Sequence, residues 1–442
     1  MSFRKFPPPG SPSTRAIAGG AIAGVILSLL FFSAHSAGPM QASTSSAPLW
    51  PGRDIGSGTP VQRRGAPAPL PSVAPLPPPL TGIVTPTPSP VSSSSPSPSP
   101  SPWHQTGLLS IRIVGAHFVD GNGNPIRLVG TTRPGTQYSC VKGFFEDGPW
   151  GQSTVDAMAA WHMNAVRLPL NEDCWLGING LPGNGYSAAQ YRADLHTFVS
   201  EFHKDGMYVV LDNRVAAPGS IPASGQASSA ADMPDADHAP AFVSSLAASF
   251  KSDPAVIFDL YNEPNHLPGL AAGMACVRNG CTIVDTAGLG TYQAAGEQTL
   301  LDAVRAAGAT QVVLESAPSY AGDARYWLQY VLNDPLHQVA ASVHPYESAW
   351  WLHSQLEWSQ QLGGIIAAGY PVFATETGPN ACGSAVYVTS QMAWFDANGV
   401  SYMPFGWNGF GRCGQTLNAN WTGAPYGSAF ALAVYQHLLP LP

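Results

Sequence analysis

Short apolar runs recur along the last three quarters of the chain, each too brief for a helix and most preceded by an amphipathic stretch. Residues 111–119 alternate apolar and polar, Asp120-Gly-Asn-Gly-Asn124 turns, and residues 125–131 run on, which predicts a strand, a Gly/Asn turn and a second strand. Beyond it, apolar runs at 164–170, 207–212, 255–261, 311–315, 338–343, 371–376 and 401–407 read as buried parallel strands. Helical periodicity covers 154–162, 188–204, 239–250, 291–307, 352–368, 384–398 and 427–439. Counting the run from Ile126 as the first, eight strands alternate with helices. The expected fold is α/β, a (β/α)8 TIM barrel preceded by a short β-hairpin. A Gly-rich phosphate loop after the first strand, which an open nucleotide-binding sheet would need, is missing from the sequence.

The pattern before residue 105 is different. Arg4, Lys5 and Arg15 precede an apolar run over residues 16–32, followed by the small residues Ser33, Ala34, Ser36 and Ala37. Residues 1–38 therefore read as a signal peptide, or as a signal anchor tethering the chain to a membrane through residues 16–32. Residues 39–104 are rich in Pro and Ser and end in a run of Ser-Pro repeats, too poor in bulky apolar groups to offset ordering entropy. They are expected to form a disordered, semi-rigid linker. Residues 105–442 then form the folded domain, secreted or held at the cell surface. The net charge of −8, without a sizeable Lys/Arg run, argues against nucleic acid as a partner. Twelve Trp and fifteen Tyr in a chain only 10% charged suit either a large core or a cleft that stacks sugar rings.

The predicted strand ends carry Arg167, Asp212, Glu263, Glu315, His344 with Tyr346, Glu376 and Trp407. In a parallel barrel these ends converge on one mouth, where such folds place their chemistry. Glu263, in Asn262-Glu263-Pro264, and Glu376 end strands four and seven and face one another across it. Glycosidic cleavage asks for such a pair: one carboxylic acid to protonate the leaving oxygen and one carboxylate beneath the developing cation. Apolar neighbours would raise Glu263 and make it the acid, whereas Arg167 and the Tyr346 hydroxyl would keep Glu376 ionised. Trp407 is expected as a stacking floor, and Asn262 as a partner for a sugar 2-hydroxyl. Singly, each of these residues has an ordinary structural explanation; their arrival at successive strand ends does not.

At these residues the chain resembles glycoside hydrolase family 5, the cellulase-like family of retaining (β/α)8 enzymes. The matching motifs are Ala165-Val-Arg167-Leu-Pro-Leu, Leu260-Tyr-Asn262-Glu263-Pro264, His344-Pro-Tyr346, Ala374-Thr-Glu376-Thr-Gly378 and Phe405-Gly-Trp407. The resemblance implies Glu263 as acid/base, Glu376 as nucleophile, and Arg167, Asn262, His344, Tyr346 and Trp407 as supporting residues. One departure matters: after strand three, where the family usually carries histidine, this chain reads Leu211-Asp212-Asn213-Arg214, so Arg214, or alternatively Asn213, stands in its place, and Arg214 is expected to contact substrate. The expected activity is an exported endo-β-glucanase; a β-mannanase or other β-glycosidase of the same clan, or a glycan-binding protein without catalysis, are the alternatives. The partner is a β-linked oligo- or polysaccharide, no cofactor or metal is expected, and the catalytic domain is expected to be monomeric. The six cysteines suit an oxidising compartment. Cys276 and Cys281 flank a short turn, while Cys140 with Cys174 and Cys382 with Cys413 follow adjacent strands, so these three pairings are expected.

Overall fold

The structure, a computed structural model, describes residues 109–180, 186–223, 231–380, 385–412 and 414–441. The expected signal (1–38) and linker (39–104) lie outside the described residues, as does the pair Cys382 and Cys413.

The described chain begins in a three-stranded antiparallel sheet of β1 (Ile111–Val114), β2 (His117–Asp120) and β3 (Pro125–Ile126). The alternation over 111–119 suggested one strand; instead Gly115 adopts φ +57° and the chain reverses, pairing Ile111 with Asp120. A tight hairpin needs a left-handed residue, and glycine supplies it without a Cβ clash. Asp120 holds the next turn by accepting from the Asn122 and Asn124 N–H groups at 2.9 and 2.8 Å. Ile111, Ile113 and Phe118 pack with the barrel residues Val210, Ile257 and Leu314, so this small sheet plugs the barrel floor.

Eight parallel strands wind in chain order to form that barrel: β4 (Gly130–Thr132), β5 (Ala165–Asn171), β6 (Tyr208–Val215), β7 (Val256–Asp259), β10 (Val313–Ser316), β11 (Val339–Val343), β12 (Val372–Thr377) and β13 (Ser401–Pro404). Between β7 and β10, β8 (Thr282–Val284) and β9 (Thr291–Gln293) make a separate antiparallel ribbon. The ends of the sheet meet. Val129 bridges Tyr402 in parallel, the Tyr402 N–H donates to the Leu128 carbonyl at 2.9 Å, and the Leu128 N–H donates to Ser401 Oγ at 2.9 Å. The result is the expected (β/α)8 TIM barrel. Its strands are buried on both faces, which explains their continuous apolar runs.

The helices Ala188–Lys204 and Ala239–Phe250 fall where the periodicity places them. Ser187 caps the first by accepting from the Gln190 N–H at 3.2 Å, and Tyr191, Leu195, Phe198 and Phe202 form its buried stripe. The helix expected over 291–307 starts only at Glu297. Thr291 and Tyr292 favour an extended chain, and Gly296 stays extended at the helix entry, so β9 forms in place of the first turns. Two of the expected disulfides are formed: Cys140–Cys174 and Cys276–Cys281, with Cα separations of 6.1 and 5.3 Å.

Candidate active site

The barrel mouth is organised by one buried guanidinium. Arg167, on β5, donates from Nε to Asp259 Oδ2 at 2.9 Å, from Nη1 to Glu376 Oε1 at 2.8 Å and from Nη2 to Asn262 Oδ1 at 2.9 Å. Nη2 also lies 2.9 Å from Asp212 Oδ1. Burial alone would lower Arg167, but Asp212, Asp259 and Glu376 together raise it above its ordinary value, so it is charged throughout. One positive charge cannot balance three buried carboxylates. Burial accordingly pushes Asp259 up to about 6 and Asp212 well above the usual range, against the pull of Arg167.

The guanidinium has no acceptor, so Asn262 must turn its carbonyl oxygen to it. That leaves the Asn262 Nδ2 donor buried and without a protein partner, available to a ligand hydroxyl. Glu376 ends β12 and uses both oxygens: Oε1 takes Arg167, and Oε2 accepts from the Tyr346 hydroxyl at 2.8 Å. Two such donors fix the orientation of the carboxyl group. Tyr346 follows β11 and lies against Gly378, where a Cβ would meet its Cε1 at 3.1 Å; the glycine after Thr377 lets this ring approach.

Glu263 sits opposite. Its Oε1 accepts from His344 Nδ1 at 2.9 Å, and His344 Nε2 reaches Thr375 Oγ1 at 3.1 Å, itself 2.7 Å from Ser342 Oγ. Carboxylate oxygens of Glu263 and Glu376 and a His344 nitrogen all lie within 4.8 Å of one another. Arg214, 27% exposed, brings Nη2 to 4.0 Å from Glu263 Oε2. Desolvation raises Glu263, but it is outweighed by the His344 hydrogen bond and by the charges of His344, Arg214 and Arg167, which lower the group to about 2. The expectation that apolar neighbours raise this acid is therefore wrong for the open cleft.

One more expectation changes. Trp407 is 1% exposed and packs edge-on against Trp161 at 5.3 Å, so it offers no face to the mouth. At the end of β13 the half-buried Phe405 is the aromatic ring left nearer solvent. Glu315 is fully buried, with Oε2 accepting from the Leu332 N–H at 3.1 Å, a structural position rather than a substrate-facing one. The role of Asp259 as the Nε partner of Arg167 was missed, although a carboxylate closing the apolar run Val256-Ile-Phe-Asp259 was a usable signal.

A barrel whose mouth gathers two facing glutamates, one held by Arg and Tyr and the other by His, has the site of a glycoside hydrolase. The chain belongs to glycosyl hydrolase family 5: the family's cellulase model matches residues 119–411. No match to a curated protein was found. Among solved structures, it is similar to the β-glucanase SdGluc5_26A from Saccharophagus degradans (18% identity, 77% of this chain and 97% of that one, TM-score 0.56). It is also similar to the catalytic domain of the Thermobifida fusca endoglucanase Cel5A (16% identity, 74% and 97%, TM-score 0.51). A variant of that enzyme has been solved in complex with cellotetraose (16% identity, 74% and 97%, TM-score 0.50). At these identities the likeness speaks to the fold.

Proposed function

We propose that the protein is an exported, retaining endo-β-glucanase with Glu376 as nucleophile and Glu263 as acid/base. The observation that carries this reading is the asymmetric pair. The two carboxylates approach within 4.8 Å, close to the separation of about 5–5.5 Å used for double displacement and too short to seat a water between them. Glu376, oriented by Arg167 and Tyr346, attacks the anomeric carbon while the leaving oxygen takes a proton from Glu263. The glycosyl ester that forms is opened by a water deprotonated by Glu263, which restores both groups. The Asn262 Nδ2 donor is positioned for the sugar 2-hydroxyl.

A carboxyl group at about 2 in the open cleft is a poor proton reservoir at neutral pH. Bound sugar excludes water from the 19% of the Glu263 side chain still exposed, and added desolvation raises the group towards its working value. The choice of β-glucan follows the family and the likeness to a β-glucanase and an endoglucanase. Export follows the basic, apolar and small-residue order of residues 1–38, with residues 39–104 as a spacer.

The test is turnover of cello-oligosaccharides by the exported protein, with the product anomer followed by NMR. The β-anomer appears first, and Glu376→Gln lowers kcat roughly 10⁴-fold or more while the protein stays folded. Comparable turnover by that variant, or initial release of the α-anomer, refutes the reading. Mass analysis of the N-terminus in medium and membranes decides between cleaved signal and retained anchor.

A further inference from the structure

Where β5 and β6 reach the mouth, four side chains turn acceptor atoms towards one another. Glu172 and Asp173 follow β5, Asn213 lies near the end of β6, and Asp235 precedes the helix Ala239–Phe250; all four are buried. Glu172 Oε1 accepts from Asn213 Nδ2 at 2.9 Å, and Asp173 Oδ1 accepts from Asn179 Nδ2 at 2.8 Å. Asp235 is held by backbone: Oδ1 accepts from the His238 N–H at 2.6 Å and Oδ2 from the Ala217 N–H at 2.8 Å. That leaves Glu172 Oε2, Asp173 Oδ2 and Asn213 Oδ1 buried with no hydrogen-bond partner. The Glu172 carboxyl also comes within hydrogen-bonding reach of the Asp235 carboxyl, two acid groups face to face.

Such a group lacks a positive centre. Buried acceptors without donors are costly, and buried carboxylates need a counter-charge. Burial raises Glu172 well above its ordinary range, with Asp235 adding to the rise, and raises Asp173 to about 6. His238, with Nδ1 3.6 Å from Asp235 Oδ1, does not fill the gap, because that nitrogen donates to the Ala217 carbonyl at 2.6 Å. A carbonyl only accepts, so Nδ1 carries the proton and is no ligand. What suits these atoms is a hard cation. Every open atom is oxygen, and Ca²⁺ takes about six to eight oxygens at about 2.3–2.6 Å in a flexible shell. Mg²⁺ demands a strict octahedron, and Zn²⁺ favours nitrogen and sulfur. The exposed Asp237 places an oxygen within 4.8 Å of Asp235 and His238, a way in from solvent.

We propose that Glu172, Asp173, Asn213 and Asp235 bind a calcium ion. The ion joins the ends of two barrel strands to the segment that enters the next helix. The Asn213 carbonyl also accepts from the Asn262 N–H at 3.0 Å, and Arg214 follows Asn213 in the chain, so the ion stiffens the wall of the cleft that carries both.

The experiment strips the full-length protein with EDTA, dialyses it, and follows thermal unfolding as CaCl2 is added. At a hundredfold excess over Kd the wild-type midpoint rises by about 5 °C. MgCl2 at the same concentration gives less than about half that shift. Glu172→Gln, whose amide donates to Asp235 where the ion stood, responds to calcium by under about 1 °C and unfolds no lower than the stripped wild type. Asp173→Asn, a second variant, loses at least about half of the shift. Glu376→Gln keeps all of it, which separates this site from the two glutamates at the centre of the cleft. No calcium shift in the wild type, or a full shift in Glu172→Gln and Asp173→Asn, overturns the proposal.

Discussion

Replacing Arg214 by Met tests the electrostatics of the acid/base with little change of volume. Arg214 Nη2 stands 4.0 Å from Glu263 Oε2, and its charge is one of those that hold Glu263 down. Two unit charges at 4 Å interact by about 1 kcal/mol in water and about 4 kcal/mol near a protein surface. A guanidinium 27% exposed is partly screened, so about 1.5 kcal/mol is a fair value, or roughly one pK unit. The sign is fixed: removing a cation removes a lowering influence, so the variant's Glu263 keeps its proton to higher pH. The alkaline limb of kcat, which reports the acid in the enzyme–substrate complex, moves up by about one unit on cello-oligosaccharides. An activated aryl β-glycoside, whose phenolate leaves without a proton, keeps its alkaline limb and serves as the internal control. An unmoved limb on the oligosaccharide, or equal movement on both substrates, refutes the assignment of Glu263 as the titrating acid.

Azide separates the two glutamates. Glu263→Ala slows turnover of an activated aryl glycoside by about 10²- to 10⁴-fold, and azide restores it with a β-glycosyl azide as product; an α-product would reverse the roles. The Cys140–Cys174 bridge spans 34 residues, so its replacement by two alanines costs about 3–4 kcal/mol by denaturant titration, and loss of under about 1 kcal/mol would show that packing alone holds that corner. Glu297 and Glu315 are fully buried, and burial raises both well above 4.5. A folded-state value raised above the unfolded one gives stability that is complete below about 4.5 and is lost as pH rises towards the folded value. Glu315→Gln therefore flattens the fall of the unfolding midpoint above about pH 4.5, and an unchanged slope would mean that Glu315 is ionised in the native protein.

Much of the architecture was readable from the chain because barrel strands are buried on both faces and announce themselves as apolar runs. The helices over 188–204 and 239–250, and the family motifs around Arg167, Glu263 and Glu376, gave the barrel and the central pair together. The errors came where tertiary context overrides local pattern. The break at Gly115 is a choice between one long strand and a hairpin that alternation cannot make. Aromatic residues at strand ends point inward or outward according to turns not visible in composition, and Trp407 points inward. The direction of the Glu263 shift depended on His344, Arg214 and Arg167, all distant in sequence.

The seam between β4 and β13 has a consequence for how the enzyme comes into being. Leu128 and Ser401 are 273 residues apart, and closing a loop of that length costs about 5 kcal/mol of chain entropy before a single seam contact repays it. Translation delivers both glutamates before it delivers the strand that shuts the barrel. A nascent chain stopped short of Ser401 would carry every proposed reacting group and still expose two raw sheet edges, on β4 and β12. Activity is thus withheld until almost the last residues arrive, and any truncation at the C-terminus that removes β13 is expected to yield an aggregating polypeptide rather than a weakened hydrolase.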